Sequence, residues 1–164
     1  MVEAEPHRDE RGHFARLYSA DEFQAAGIDF TPVQINVSHN THTHTLRGMH
    51  YQDPPHAEAK LVQVVRGAVY DVVVDLNRDS SSYGRWQGFT LKDDGLRALF
   101  IPEGCAHGFL TLTPNTDIMY GMGRMNVPGH TKGYRWDDRR LKISWPAAPA
   151  VISAADRQWP DFTG

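Results

Sequence analysis

The sequence has a single cysteine, Cys105, among 164 residues. A disulfide framework is thereby excluded, and a reducing compartment is the default. Basic residues are not in surplus: 17 Lys and Arg stand against 20 Asp and Glu, for a formal net charge of -3. Charge alone gives no ground for nucleic-acid binding, although local cations can still hold a small phosphate. No apolar run approaches the length of a membrane span. The opening MVEAEPHRDERG lacks the apolar stretch of a signal peptide. A soluble cytoplasmic protein is therefore expected, with neither nucleic acid nor membrane as partner. No repeat, low-complexity tract or linker interrupts the chain. One domain over residues 1–164 is expected, a size that supports a real core.

Glycine (14) and proline (10) are spread along the chain, as many short strands joined by turns require. One helix is signalled, over residues 20–26. Ser19 and Glu22 stand at capping-box spacing, Tyr18 and Phe23 can staple the entry, and Gly27 is a natural stop. Strands are expected at 31–38 (TPVQINVS), 60–65 (KLVQVV), 68–76 (AVYDVVVDL), 85–91, 97–101, 108–113 and 117–122. Arg66-Gly67 reads as a hairpin turn, and Val72-Val73-Val74 as burial on both faces. The expected fold is all-β, a jelly-roll barrel of the cupin type with one short N-terminal helix. Its mouth can hold a small ligand.

Three histidines crowd the stretch THTHTLRGMHYQ (41–52). In LRGMHYQ, Arg47 and His50 have opposite strand parity, so a regular strand would separate them. Gly48 is where a bulge can break that register. With Lys60, these residues could hold an anion and transfer a proton. Solvated polar residues beside a hairpin would look the same, and spacing alone slightly favours that reading. In PEGCAHG (102–108), a proline and two glycines set a turn that delivers His107 to the next strand, the second half of the cupin signature. Asp71 is an acid inside an apolar strand: a structural acid, or one that orients a histidine. Tyr120 is either packing or a general acid. A metal set of His42, His44 and His107 is poorly assembled, because no glutamate follows the His-x-His at the usual spacing and Glu58 lies beyond the Asp53-Pro54-Pro55 turn.

Taken together, several segments resemble the dTDP-4-dehydrorhamnose 3,5-epimerase family of RmlC-like cupins, nearly end to end. They are DERGHF (9–14), FTPVQIN (30–36), LRGMHYQ (46–52), AKLVQVVRGAVYDVVVDL (59–76), YGRW (83–86), IPEGCAHGFLTL (101–112), RWDD (135–138), ISWP (143–146) and ISAAD (152–156). The resemblance implies an epimerase that inverts C3, C5 or both of a nucleotide-linked 4-keto-6-deoxy sugar through an enolate, without cofactor or metal. It makes His50 the base, Asp156 its paired carboxylate, Lys60 the cation on the enolate oxygen and Tyr120 the opposite-face acid. His107 and Asp71 become a second polar pair and Arg47 a phosphate contact. Gln34, Asn36 and Phe14 become further ligand contacts. Arg11 becomes an arm residue reaching the nucleotide of a neighbouring subunit in a homodimer that exchanges N-terminal strands. Three positions depart from the family pattern: Asn126 replaces a second tyrosine, His13 an aromatic residue and Arg16 an acid. Both terminal extensions are short, which would weaken such an exchange. Rival readings keep the fold with a CDP- or GDP-sugar substrate or a ketoisomerase reaction, make it a metal-dependent cupin, or leave it a non-catalytic binder.

Overall fold

The computed structural model describes residues 1–94 and 96–164. Its strands are β1 (Val2–Glu3), β2 (Pro6–Asp9), β3 (Gly12–Ala15), β4 (Gln34–Asn40), β5 (Thr45–Gln52), β6 (Lys60–Arg66), β7 (Ala68–Asp75), β8 (Trp86–Lys92), β9 (Arg97–Ile101), β10 (Cys105–Thr111), β11 (Thr116–Met122), β12 (Thr131–Gly133) and β13 (Val151–Ile152). The helices are α1 (Ala20–Ala25) and α2 (Ala154–Arg157). None is long and apolar enough to cross a membrane.

Two large sheets carry the fold. One runs β1-β9-β6-β11-β4; the other runs β12-β5-β10-β7-β8, with β13 added beside β5. From β4 to β7 and again from β8 to β11, each strand lies in the sheet opposite its predecessor, as in a jelly roll. This corrects one expectation. Arg66-Gly67 is not a hairpin turn, because β6 pairs with β9 and β11 while β7 pairs with β8 and β10. The chain crosses from one sheet to the other there. Gly67 takes φ +83, and a Cβ on it would meet the Thr113 and Thr116 hydroxyls at 2.6 Å. Turn chemistry marked the corner but carries no information about which sheet comes next.

Side chains from both sheets meet in a core of Val62, Val64, Val69, Leu91, Leu99, Ile101, Phe109 and Ile118. Val72 and Val74 point the other way, and Leu141 and Phe162 of the C-terminal segment cover them, while Val73 lies against the inner core. Burial on both faces of β7 thus has two separate causes.

α1 forms at the expected place but with a different cap. Ser19 makes no side-chain cap hydrogen bond. Glu22 instead accepts from Arg16 at 2.8 Å, so the reach-back bond of a capping box is absent. The apolar staple does form, with Tyr18 and Phe23 ring centroids 5.0 Å apart. Gly27 (φ +74) ends the helix, and the Ile28 N–H donates to the Phe23 carbonyl at 2.8 Å.

Candidate active site

The cavity between the sheets owes its shape to one irregularity in β5. His107 of β10 pairs with His50, but Phe109 pairs with Arg47, so Gly108 of β10 stands against both Gly48 and Met49 of β5. The slip falls around Gly48, which adopts φ +132; a Cβ there would stand 2.5 Å from the Gly108 Cα. This is the register break that Gly48 suggested. It turns Arg47 and His50, otherwise of opposite parity, toward the same space. That space is a cavity of about 380 Å³, lined from the six-stranded sheet by Arg47, His50, His107 and Phe109. From the five-stranded sheet, Asn36, Lys60, Tyr120 and Met122 face them.

Asp156 reaches this cavity wall from the far end of the chain. β13 pairs in parallel with the start of β5, matching Ile152 to Leu46. Ser153 then caps α2 by accepting the Asp156 N–H at 3.0 Å. The Asp156 carboxylate arrives 2.6 Å from His50 Nε2. The same oxygen accepts from Trp159 Nε1 at 3.1 Å, and the other accepts from the Gly48 N–H at 3.4 Å. Burial by itself would raise this carboxyl; the His50 ring, Trp159 and the Gly48 amide together outweigh it and hold Asp156 below the usual carboxylate range. With Nε2–H donating to Asp156, the other ring nitrogen of His50 carries the lone pair a base needs. The His50 side chain is 37% exposed and borders the cavity.

On the opposite sheet, Tyr120 and Lys60 lie on neighbouring strands, Tyr120 beside Val62 and Lys60 beside Met122. Burial pushes the Tyr120 phenol above its ordinary value, Asp71 adds to the shift and Arg47 offsets part of it. The phenol therefore keeps its proton across the neutral range. Its ring meets His107 edge-on at 6.2 Å. His107 Nε2 bonds Asp71 Oδ2 at 2.8 Å, both side chains being buried. Burial raises the Asp71 carboxyl, and the His107 ring offsets only part of that. Asp71 Oδ1 has no hydrogen-bond partner among the described residues.

Lys60 has a close companion that sequence reasoning missed. Its Nζ donates to Glu58 Oε1 at 2.6 Å, and the second Glu58 oxygen accepts from Gln52 Nε2 at 2.7 Å. In the sequence Glu58 stands out only as a misplaced metal ligand. The usable signal was its two-residue spacing from a lysine of opposite charge. Trp159 was also missed, and nothing local in the sequence marks it as a partner of Asp156.

Other expected residues are distributed unevenly. Arg47 lines the cavity and donates to Asn40 at 2.9 Å. Gln34 is not itself in the lining but bonds Asn36 at 2.9 Å and pairs across the sheet with Met122. Arg11 and Phe14 are not in the cavity of their own chain. Both sit on the β2–β3 hairpin, where Arg11 is clasped by Asp9 and Phe14 is 72% exposed. Among the described residues β2 and β3 pair with no other strand, and Phe14 borders a separate surface pocket with Val2, Phe23 and Ile28 instead. His42 and His44 lie in the turn before β5, where the His42 carbonyl caps Thr45 and Thr111. Among the described residues, no group of three or more His, Cys, Asp or Glu side chains is arranged to hold a metal ion. The set of His42, His44 and His107 is therefore not assembled.

A family model described as dTDP-4-dehydrorhamnose 3,5-epimerase matches residues 1–164. A dTDP-4-dehydrorhamnose 3,5-epimerase of Methanothermobacter thermautotrophicus is 39% identical over 163 residues, covering 97% of this chain and 86% of that protein. A dTDP-4-dehydrorhamnose 3-epimerase of Streptomyces niveus is 36% identical over 157 residues, covering 95% of this chain and 75% of its own length. The crystal structure of the Bacillus anthracis dTDP-4-dehydrorhamnose 3,5-epimerase with TDP and pyrophosphate bound superposes with a TM-score of 0.94 at 39% identity, covering 98% of this chain and 91% of that one. With sequence and fold matched along nearly the whole length, this chain belongs to the dTDP-4-dehydrorhamnose 3,5-epimerase family.

Proposed function

We propose that the chain is a one-domain cytoplasmic enzyme that epimerises a dTDP-linked 4-keto-6-deoxy sugar by moving protons across the cavity between its sheets. The C4 ketone acidifies the hydrogens on C3 and C5. His50 removes one of them, and Asp156 stabilises the imidazolium that forms. The electrons move onto the C4 oxygen, where the Lys60 ammonium meets the enolate charge as it develops. Tyr120, from the opposite sheet, returns a proton to the other face of the carbon, and the configuration inverts. Arg47 and Asn36 take the polar end of the ligand, a planar guanidinium suiting a diphosphate. His107 and Asp71 brace the wall beside Tyr120. The observation that carries this reading is the placement of His50, with Asp156 of α2 bonded to it, on one sheet and Tyr120 with Lys60 on the other.

The test is incubation with dTDP-4-keto-6-deoxyglucose in deuterated water, followed by NMR. Deuterium is expected at C3, at C5 or at both, and the pattern reads out the regiochemistry. Absence of label at both carbons would overturn the proposal.

A homodimer is the second part of the proposal. Val33, Ile35 and Val37 stand exposed along the edge of the five-stranded sheet, with Val65 also exposed on β6. Such a stripe favours burial against a second copy. Among the described residues the β2–β3 hairpin pairs with no other strand, and a lone hairpin is marginal in water. Seated on a partner, it would bring Arg11 and Phe14 to the neighbouring cavity. Sedimentation should give twice the chain mass, and Ile35→Asp should shift the protein to monomer with lower turnover. A wild-type monomer with full activity contradicts this part.

A further inference from the structure

Both oxygens of the Glu58 carboxylate are committed, one to Lys60 and one to Gln52. The orientation of the Gln52 amide is not free. Its Oε1 accepts the Val127 N–H at 2.7 Å, and a backbone N–H can only donate. Gln52 Nε2 must therefore face Glu58, where it also approaches the Met125 carbonyl at 3.4 Å. Residue 58 thus meets a donor on each side. A carboxylate accepts both; an amide would turn a donor toward one of them. The Lys60 and Glu58 side chains are each 8% exposed and Gln52 is 4% exposed, so water is a poor substitute. Between Met125 and Val127 lies Asn126, which lines the cavity and accepts from the Thr131 hydroxyl at 3.0 Å.

We infer that Lys60, Glu58, Gln52 and the Val127 amide form one relay that aims the Lys60 ammonium into the cavity and ties it to the 125–127 segment beside it. Glu58 and Gln52 are then positioning residues. An ammonium has three N–H donors; Glu58 takes one and so fixes the cone in which the other two can meet a substrate oxygen. This rests on the reading of Lys60 as the cation that meets the enolate oxygen.

The test uses Glu58→Gln, Gln52→Glu and the two together, with turnover and Val127 amide hydrogen exchange as separate readouts. Glu58→Gln puts two amide donors face to face. It should lower kcat by about tenfold or more with KM changed less than about threefold, since misplacement of a catalytic group is felt mainly in the chemical step. Val127 should lose about tenfold in exchange protection. The exchanged pair restores an acceptor to each of the three relay donors and gives up only the long 3.4 Å contact to the Met125 carbonyl. The new amide at position 58 accepts from Lys60 through its oxygen and donates through its nitrogen to the new carboxylate at position 52. That carboxylate also accepts the Val127 N–H. The pair should recover Val127 protection and bring kcat to within about threefold of wild type. A structural role alone would show as a lower melting temperature without this reciprocal rescue. Should Glu58→Gln fail to fold, Gln52→Leu cuts the same relay and should move both readouts in the same direction. Wild-type turnover and protection in Glu58→Gln, or an exchanged pair no better than the single variant, overturns the relay. Loss of wild-type turnover altogether would sink the proposed reaction instead, and Val127 protection would still decide the relay.

Discussion

His50 and His107 each hold a carboxylate, and the two pairs are built to opposite ends. Asp156 gathers the His50 ring, the Trp159 indole and a backbone N–H, and stays below the usual carboxylate range despite its burial. Among the described residues Asp71 has His107 alone, and burial raises it. The consequences for stability have opposite signs. For Asp156 the unfolded chain, titrating near about 3.9, binds the proton more readily than the folded one. Its contribution is present above that value and is lost as pH falls through the lower folded value. Melting curves of Asp156→Asn should therefore show a flatter acid limb than wild type. For Asp71 the folded state holds the proton longer, so stability declines as pH rises from about 3.9 through the raised value. Asp71→Asn, which keeps the shape without the buried charge, should gain melting temperature relative to wild type as pH goes from below about 3.9 to 8. Equal gaps at both pH values would contradict that assignment. For the chemistry, His50→Asn should cut deuterium exchange by about 10²–10⁴-fold, the range a positioned general base supplies. Most of the cavity wall was legible residue by residue, because Arg47, His50, Lys60, His107 and Tyr120 sit in recognisable segments. Glu58 was not, since its meaning comes from Gln52, a contact between the end of one strand and the approach to the next.

At the scale of elements, the site depends on strand irregularity more than on strand propensity. Gly48 lets β5 slip against β10, and its missing side chain is what permits the approach of Gly108. The opposing atom is backbone and cannot step aside. Gly48→Ala should cost about 3 kcal/mol or more in denaturant unfolding, from the clash and the strained φ together. It should also uncouple Arg47 from His50 and so depress turnover even at temperatures where the variant remains folded. Full stability in that variant would show that the slip does not need the glycine. The glycine signal and the parity conflict were both local, so this irregularity was readable in advance. The sheet crossing at Arg66-Gly67 was not, because the same turn residues serve a hairpin and a corner. The short strands β1, β12 and β13 escaped for a related reason: two or three residues carry no periodicity, and only their partners make them strands.

At the scale of the whole molecule, the sheets present the chemistry from two sides. The proposed base, His50, and its carboxylate, Asp156, come from β5 and the C-terminal α2, while the proposed acid, Tyr120, and cation, Lys60, come from β11 and β6. On that proposal a substrate between them is approached on both faces, which is what inversion requires and what simple binding does not. The jelly-roll class was legible from strand density and turn spacing, whereas the separate β2–β3 hairpin was not, since its residues carry no strand alternation of their own. The most direct test of this two-sided account is the product configuration formed by Tyr120→Phe in deuterated water. With His50 intact and the opposite acid removed, deuterium should still enter the sugar, but at a carbon that keeps its starting configuration. Inverted, labelled product at the wild-type rate would contradict the account.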